Sequence, residues 1–260
     1  MAGLCTLFEK LIFTETPSSK KLKPTVLTFI GSGGKTTLIW HLAKSFKNHS
    51  RKILVITTTK MYRPLHQKKQ YDFFCEKPLL SAQPGITLAG IYDEKTGKIS
   101  SFPLPDLEQM SKAFDIVLIE GDGSHEHPLK GWAAHEPIVP VFTDFTVGII
   151  PIWPLGQPIS EKIIHRLPEF CALCSANPAD ILNSGHYINI ISGNREHPEF
   201  RSLFSKTYGK KVLIINQKLC FYASKQSFLI INSLPADFSG KIDVIALANI
   251  LKNKHFNIKH

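Results

Sequence analysis

Thr28-Phe29-Ile30-Gly31-Ser32-Gly33-Gly34-Lys35-Thr36-Thr37 is the stretch from which the fold is read. The run leading into it, Thr25-Val26-Leu27-Thr28-Phe29-Ile30, is short, β-rich and apolar, the pattern of a buried parallel strand. Beyond the glycines, Leu38, Ile39, Leu42 and Phe46 recur at helical spacing within 36–46. A glycine turn between a buried strand and a helix suits a polyphosphate. Glycines let successive backbone N–H groups turn toward its oxygens without crowding. The helix adds its positive end and its unpaired amides. In this arrangement Lys35 reaches the β- and γ-phosphates and Thr36 offers its hydroxyl to Mg²⁺.

The standard P-loop pattern has a glycine five positions before Gly34, where this chain has Phe29. The match is the compact form Gly-x-x-Gly-Lys-Thr-Thr, similar to variants in ParA-like ATPases and Mur ligases. Weighed against a glycine turn with a surface lysine, the strand-before and helix-after context favours phosphate binding. Gly31, Ser32, Gly33, Gly34, Lys35, Thr36 and Thr37 are therefore expected to hold ATP or GTP.

Working outward, Ile53-Leu54-Val55-Ile56 is a second buried strand, which makes a βαβ unit with a right-handed crossover. Asp115-Ile116-Val117-Leu118-Ile119 is the strongest core strand, and further strands are expected at 145–150 and 211–216. A β-hairpin is read from 86–92 and 99–102 around the turn-rich 93–98. A helix is expected over 105–114, with Pro105 at its start and acids in its first turn. Residues 226–231 read as a strand and 243–251 as helical. The fold class expected is α/β and P-loop NTPase-like: a mostly parallel sheet flanked by helices, with a proline-rich C-terminal subdomain. The expected division is a lead-in over 1–24, a nucleotide-binding core over 25–150, and a part over 151–260 that completes the sheet with a helical insert.

Catalysis on a phosphate also needs an acid to hold Mg²⁺ or orient water. Glu120-Gly121-Asp122-Gly123 ends the strongest strand, and ligands of open α/β sheets sit outside such strand ends. Asp122 is expected to hold Mg²⁺ through water, with Glu120 as the second acid, against the plainer reading of a capping aspartate. Lys35, Glu120 and Asp122 are the catalytic candidates, and Thr36, Asp122 and Glu120 the metal-side ones. Thr57-Thr58-Thr59-Lys60 ends the second strand. Thr58 and Lys60 there are either a γ-phosphate sensor or, for the threonines, ordinary strand formers. His125-Glu126-His127, with Lys130, and His135-Glu136-Pro137 read as a switch or substrate loop, with a metal site as the alternative.

The net charge is +10, but the lysines are scattered and no aromatic-interleaved basic stripe appears, so a solvated surface is preferred to nucleic-acid binding. The five cysteines are odd in number and dispersed. Cys171 and Cys174 are read as buried or incidental rather than as a metal or redox pair. No apolar run is long enough to span a bilayer, and the first residues lack a secretory pattern, so a cytoplasmic setting is expected.

Several segments together resemble one family, the selenium-dependent hydroxylase accessory proteins called YqeC. They are Phe29–Thr37, Thr57-Thr-Thr-Lys-Met61, Glu120-Gly-Asp-Gly-Ser124, Pro128-Leu-Lys-Gly131, His135–Pro140, Gly156-Gln-Pro158 and His165-Arg166, in order over roughly 25–220. The resemblance implies a P-loop protein, associated with maturation of a selenium-dependent molybdenum hydroxylase. A hydroxylase or its molybdopterin cofactor would then be its partner. Relatives look like Asn-Lys-x-Asp where this chain has Asn216-Gln217-Lys218-Leu219, so guanine would lose its paired acceptor; Asn216 either touches a base or ends a strand. The resemblance and the residues lead to an NTPase with Lys60, Lys130, His135 and His165 contacting phosphate or cargo. A nucleotide-dependent binding module, a small-molecule kinase or nucleotidyltransferase, and a homodimer stay open.

Overall fold

The computed structural model describes residues 3–13, 23–47, 50–64, 70–217, 221–239, 241–252 and 254–259. The basic residues of 16–22, Lys68, Lys69, Cys220 and positions 218–219 of the base-reading comparison lie outside the described residues. The first half contains α1 (Leu4–Phe13), β1 (Thr25–Gly31), α2 (Lys35–Lys47), β2 (Lys52–Thr57), β3 (Lys60–Tyr62), β4 (Phe73–Cys75), β5 (Gly85–Ala89), β6 (Ile91–Asp93) and β7 (Lys98–Ser100). Next come α3 (Leu104–Ser111), β8 (Ile116–Glu120), β9 (Leu129–Lys130), β10 (Phe145–Pro151), β11 (Ile164–His165), α4 (Leu167–Cys174) and α5 (Ser184–Ser192). The chain finishes with β12 (Lys210–Asn216), α6 (Phe221–Asn232), α7 (Ala236–Ser239), β13 (Val244–Asn249) and β14 (Lys254–Lys259).

Among the described residues one sheet runs in the order β14-β13-β12-β10-β1-β8-β2-β5-β4. Every neighbour pair in it is parallel except β13 with β14. Its central strands are buried along their whole length, which is why they read as continuous apolar runs rather than as alternation. The alternation is in where they point. Val212 and Ile214 of β12 enter the core shared with α1 and α2, whereas Leu213 and Ile215 enter the core shared with α4, α5 and α6. Leu107 and Met110 of α3 cover the β2–β8 part of the second face. The result is an α/β fold with a large, mostly parallel sheet flanked by helices.

The chain leaves β1 toward β2 on one side and leaves β8 toward β10 on the other, so strand order reverses between the neighbours β1 and β8. The crevice outside their carboxyl ends is the place where open α/β sheets take ligands. Two small sheets stand beside it: β3-β7-β6, which is antiparallel, and the parallel pair β9–β11.

Three expectations are corrected. Residues 226–231 belong to helix α6, with Ile230 and Ile231 buried and Phe228 and Leu229 exposed, a one-sided pattern that a strand would not give. The apolar run 244–249 is strand β13: buried throughout, it has no polar face to reveal its period, and its short length suits a strand. The hairpin turns at 93–98 as expected, but its arms are β6 and β7, while β5 joins the main sheet beside β2. Helix α1 packs into the core, with Leu4, Leu7, Phe8 and Ile12 buried alongside α2. Cys171 and Cys174 lie one turn apart on α4. Burial pushes both thiols up, so neither is poised as a thiolate.

Candidate functional site

The loop between β1 and α2 is fixed from beneath. Gly31 and Gly34 have φ of 92° and 136°, conformations that disfavour a side chain. A Cβ on Gly31 would strike the Ile149 carbonyl, and one on Gly34 would come within 2.8 Å of Ile250 Cδ1. The Gly31 amide donates to Asp122 Oδ2 (3.1 Å) and the Ser32 amide to the Ile149 carbonyl (3.0 Å). The Ser32 hydroxyl donates to the Pro128 carbonyl (2.7 Å). Asn216, at the tip of β12, donates to the Gly33 carbonyl (2.7 Å) and accepts from the Ile250 amide (3.2 Å). Its side chain therefore braces the loop.

Gly33 to Thr37, the end of the loop and the first turn of α2, line an open cleft of about 850 Å³. First-turn helix amides have no partner within their helix, so this floor is a set of donors. Gly31 and Ser32 are buried below it. Thr36 and Glu120 meet at its edge, the Thr36 hydroxyl donating to Glu120 Oε2 (2.7 Å). Thr57 and Thr58 tie the tip of β2 to the same place: the Thr57 hydroxyl and the Thr58 amide donate to the Glu120 carbonyl (2.9 and 3.0 Å), and the Thr58 hydroxyl to the Ile138 carbonyl (2.8 Å). The threonine cluster thus fastens the strand ends, and Thr58 and Thr59 also line the cleft.

The two acids of the β8 tip have different surroundings. Glu120 lines the cleft, and burial raises its pKa against the pull of Lys35 and Thr36. Asp122 is fully buried beneath the loop. Burial alone would raise its pKa, but Lys35, Lys130 and hydrogen bonds from the Gly31 amide and Trp132 Nε1 outweigh burial and hold it below the ordinary range. Trp132 Nε1 donates at 3.0 Å to the Oδ2 that Gly31 also uses. Among the described residues, Asp122 Oδ1 has only the Lys35 ammonium, at 3.2 Å.

From that pair an ion chain runs through the protein. Lys35, itself buried and donating to the Gly31 carbonyl, meets Asp122; Asp122 Oδ2 meets Lys130 at 3.3 Å; Lys130 meets Glu136 Oε2 at 3.0 Å; and Glu136 Oε2 meets Arg166 Nε at 3.2 Å. Lys130, expected at phosphate or cargo, is instead wholly buried and also donates to the Gly123 carbonyl (2.6 Å). A buried ammonium requires such pairing.

Arg166 opens the far end of the cleft, where His125, His127, His135 and His165 also stand. The His125 and His165 rings stack 4.4 Å apart with planes 13° from parallel, and His127 lies 5.8 Å from His165. Burial, followed by His125, Lys130 and Arg166, drives the His165 pKa down to about 4. His125, Glu126 and Arg166 have positive φ (48°, 65° and 58°) although none is glycine. Lys60 of β3, opposite Ser100, and Lys98 of β7, opposite Tyr62, also line the cleft, Lys98 over the Tyr62 ring at 4.6 Å. Among the described residues no three His, Cys, Asp or Glu side chains form a metal-binding group.

The structure thus assembles Gly33–Thr37, Glu120, Lys60, His135 and His165 around one cleft, and sets Asp122, Lys130 and Asn216 behind it. The sequence reading missed Trp132 and gave Glu136 no role. The one signal for them was indirect: a lysine in an apolar stretch, Leu129-Lys130-Gly131-Trp132, needs a buried acid, but nothing in the spacing says which.

Fold and site together define a class: an α/β protein whose glycine loop joins the central strand to its helix, facing a glutamate on the adjacent strand tip. The chain belongs to the YqeC family, whose model, "YqeC protein", matches residues 27–168, more than half of the sequence. It is similar to the "Uncharacterized protein YqeC" of Escherichia coli (strain K12), 27% identical over 184 residues, which cover 68% of this chain and 70% of that protein. No solved structure matches it. The matched family span reaches from β1 to the start of α4 and so contains both ends of the cleft. No helix among the described residues is long and apolar enough to cross a membrane.

Proposed function

We propose that this protein binds a nucleoside triphosphate with Mg²⁺ in the cleft and hydrolyses it, as an accessory factor in maturation of a selenium-dependent molybdenum hydroxylase. One observation carries the nucleotide reading: the Thr36 hydroxyl and the Glu120 carboxylate sit 2.7 Å apart at the edge of a floor made by Gly33–Thr37. Two hard oxygen donors suit Mg²⁺, which takes its remaining ligands from phosphate and water. When bound, Mg²⁺ supplies neutralisation of phosphate charge. In this reading the amides of Gly33 to Thr37 hold the phosphates, and Lys35 swings from Asp122 to meet them. Glu120 releases the Thr36 hydroxyl to become the metal-side acid. Asp122, first expected to hold the metal through water, becomes the group that orients Lys35 and Lys130, because it lies out of the cleft. The accessory role, and a hydroxylase or molybdopterin partner, rest on the family resemblance.

The test is turnover of ATP and GTP by the wild type and Lys35→Ala. The expected loss is on the order of 100-fold, the usual cost of removing one group that stabilises developing charge. Unchanged phosphate release would remove the proposal. A second reading, a nucleotide-dependent binding module without hydrolysis, is favoured by the burial of Asp122, which leaves Glu120 as the acid at the loop end of the cleft. Tight Mg²⁺–nucleotide binding with no turnover, in the presence of the client, would select it.

A further inference from the structure

We infer that the end of the cleft remote from the glycine loop is a second substrate subsite, in which Arg166, His125 and His165 take an oxyanion of a small molecule bound beside the nucleotide. The inference rests on the nucleotide reading for its first occupant and goes beyond it in naming a second. The cleft, at about 850 Å³, lies toward the upper end of the size of small-molecule sites, and its lining includes both Gly33 and Arg166. A triphosphate on the loop amides leaves the remote end to other chemistry.

That end is built for a negative group. Arg166 supplies fixed positive charge, His125 and His165 add ring nitrogens, and Lys60 and Lys98 add positive charge elsewhere in the cleft lining. The acids there are Glu126, Glu136 and Glu169, the last with its Oε1 4.0 Å from a terminal nitrogen of Arg166. Glu136 is divided between Lys130 at 3.0 Å and Arg166, whose Nε and terminal nitrogen lie 3.2 and 3.3 Å from its two oxygens. Such a carboxylate orients the guanidinium more than it cancels it, since a second cation shares it. A metal ion is a poorer occupant, because no three ligating side chains converge among the described residues.

The backbone supports the same reading. His125, Glu126 and Arg166 adopt positive φ without being glycine, a conformation that disfavours a side chain. Three around one end of a cleft are held there by the surrounding structure. What the conformations achieve is visible: they bring the His125 ring flat against His165 and turn Arg166 into Glu136. His165, neutral over the ordinary pH range, can lie against His125 without charge repulsion.

The experiment is equilibrium binding of inorganic phosphate to the wild type and to Lys35→Ala, Arg166→Gln and His125→Asn. His125→Asn is included because the residue is exposed and asparagine tolerates its φ, so the fold survives even if Arg166→Gln disturbs the ion chain. The wild type should bind two phosphates per chain. Lys35→Ala should keep one, and Arg166→Gln or His125→Asn in that background should weaken it about tenfold or more, the worth of one charge-assisted hydrogen bond. Acetate that displaces the retained phosphate would assign the subsite to carboxylates, and acetate without effect to phosphates. No phosphate left on Lys35→Ala, or one indifferent to both other changes, overturns the inference. Mg²⁺–ATP binding on the same preparations separates the two proposals: its absence, with the Arg166-dependent phosphate intact, sinks the nucleotide reading alone.

Discussion

At the glycine-loop end of the cleft, position comes from regular structure: a buried strand, a helix that starts where the strand stops, and glycines that no side chain could replace. At the histidine end, position comes from irregular backbone, non-glycine residues at positive φ, and a guanidinium aimed by a buried carboxylate. One end is placed by hydrogen-bonded elements whose geometry is general to α/β proteins; the other is placed by charges that the fold class does not dictate. Asp122 and Lys130 join them, since Asp122 touches Lys35 on one side and Lys130 on the other. The contrast teaches that the two ends should fail separately, except where the ion chain is cut in the middle.

Asp122→Ala makes that cut and should have the largest effect. It leaves two buried ammoniums, Lys35 and Lys130, short of a counter-charge, and also strands the Trp132 Nε1 and Gly31 amide donors. Breaking a buried ionic cluster from one side costs about 3–5 kcal/mol. Urea unfolding should show a fall of that size, together with loss of both nucleotide and phosphate binding. A change below about 1 kcal/mol would mean that the chain does not hold the two ends.

Gly34→Ala should act on the loop end alone and less strongly. A residue with a side chain at φ 136°, its Cβ 2.8 Å from Ile250 Cδ1, is strained by about 1–3 kcal/mol. Nucleotide binding should weaken while the phosphate retained at the histidine end stays as it was. Equal weakening at both ends would erase the distinction drawn between them.

The same contrast explains what could be read from the sequence. The loop end was legible because strand, glycine turn and helix each leave a local pattern, and β1, α2, β2, β8, β10 and β12 stand where apolar periodicity puts them. Glu120 was legible because strand tips face the ligand crevice. Asp122 was found as a residue but not as a buried one: two positions along the chain separate an acid in the cleft from one beneath it, and the bend at Gly121 that decides this is tertiary. Lys130, Glu136, Trp132 and Arg166 meet through contacts between residues that share no period, so no local pattern announces them. Runs that are apolar on every side, as in β13, lose their period, and α6 was lost for the related reason that its buried Ile230 and Ile231 are adjacent.

The smallest effect sharpens the histidine end. His165 has a pKa of about 4 in the folded protein against an ordinary 6.5, so between those values the unfolded chain binds more protons than the folded one. Its contribution to stability is therefore complete above about 6.5 and is lost as pH falls toward 4. Glu120 acts with the opposite sign nearby: its raised pKa means that the folded state keeps a proton the unfolded chain releases, so stability falls as pH rises above its ordinary value. Asp122, whose pKa is depressed, contributes stability that is complete above its ordinary value of 3.8 and is lost as pH falls below it. The wild-type profile mixes all three, and the difference between wild type and His165→Gln isolates the histidine. That difference should change with pH between about 6.5 and 4 and be flat above, with the glutamine variant less sensitive to acid. Because His165 is partly exposed, solvent screening keeps the change small. Parallel unfolding profiles for the two proteins through that window would mean that His165 is not held neutral by its burial together with His125, Lys130 and Arg166.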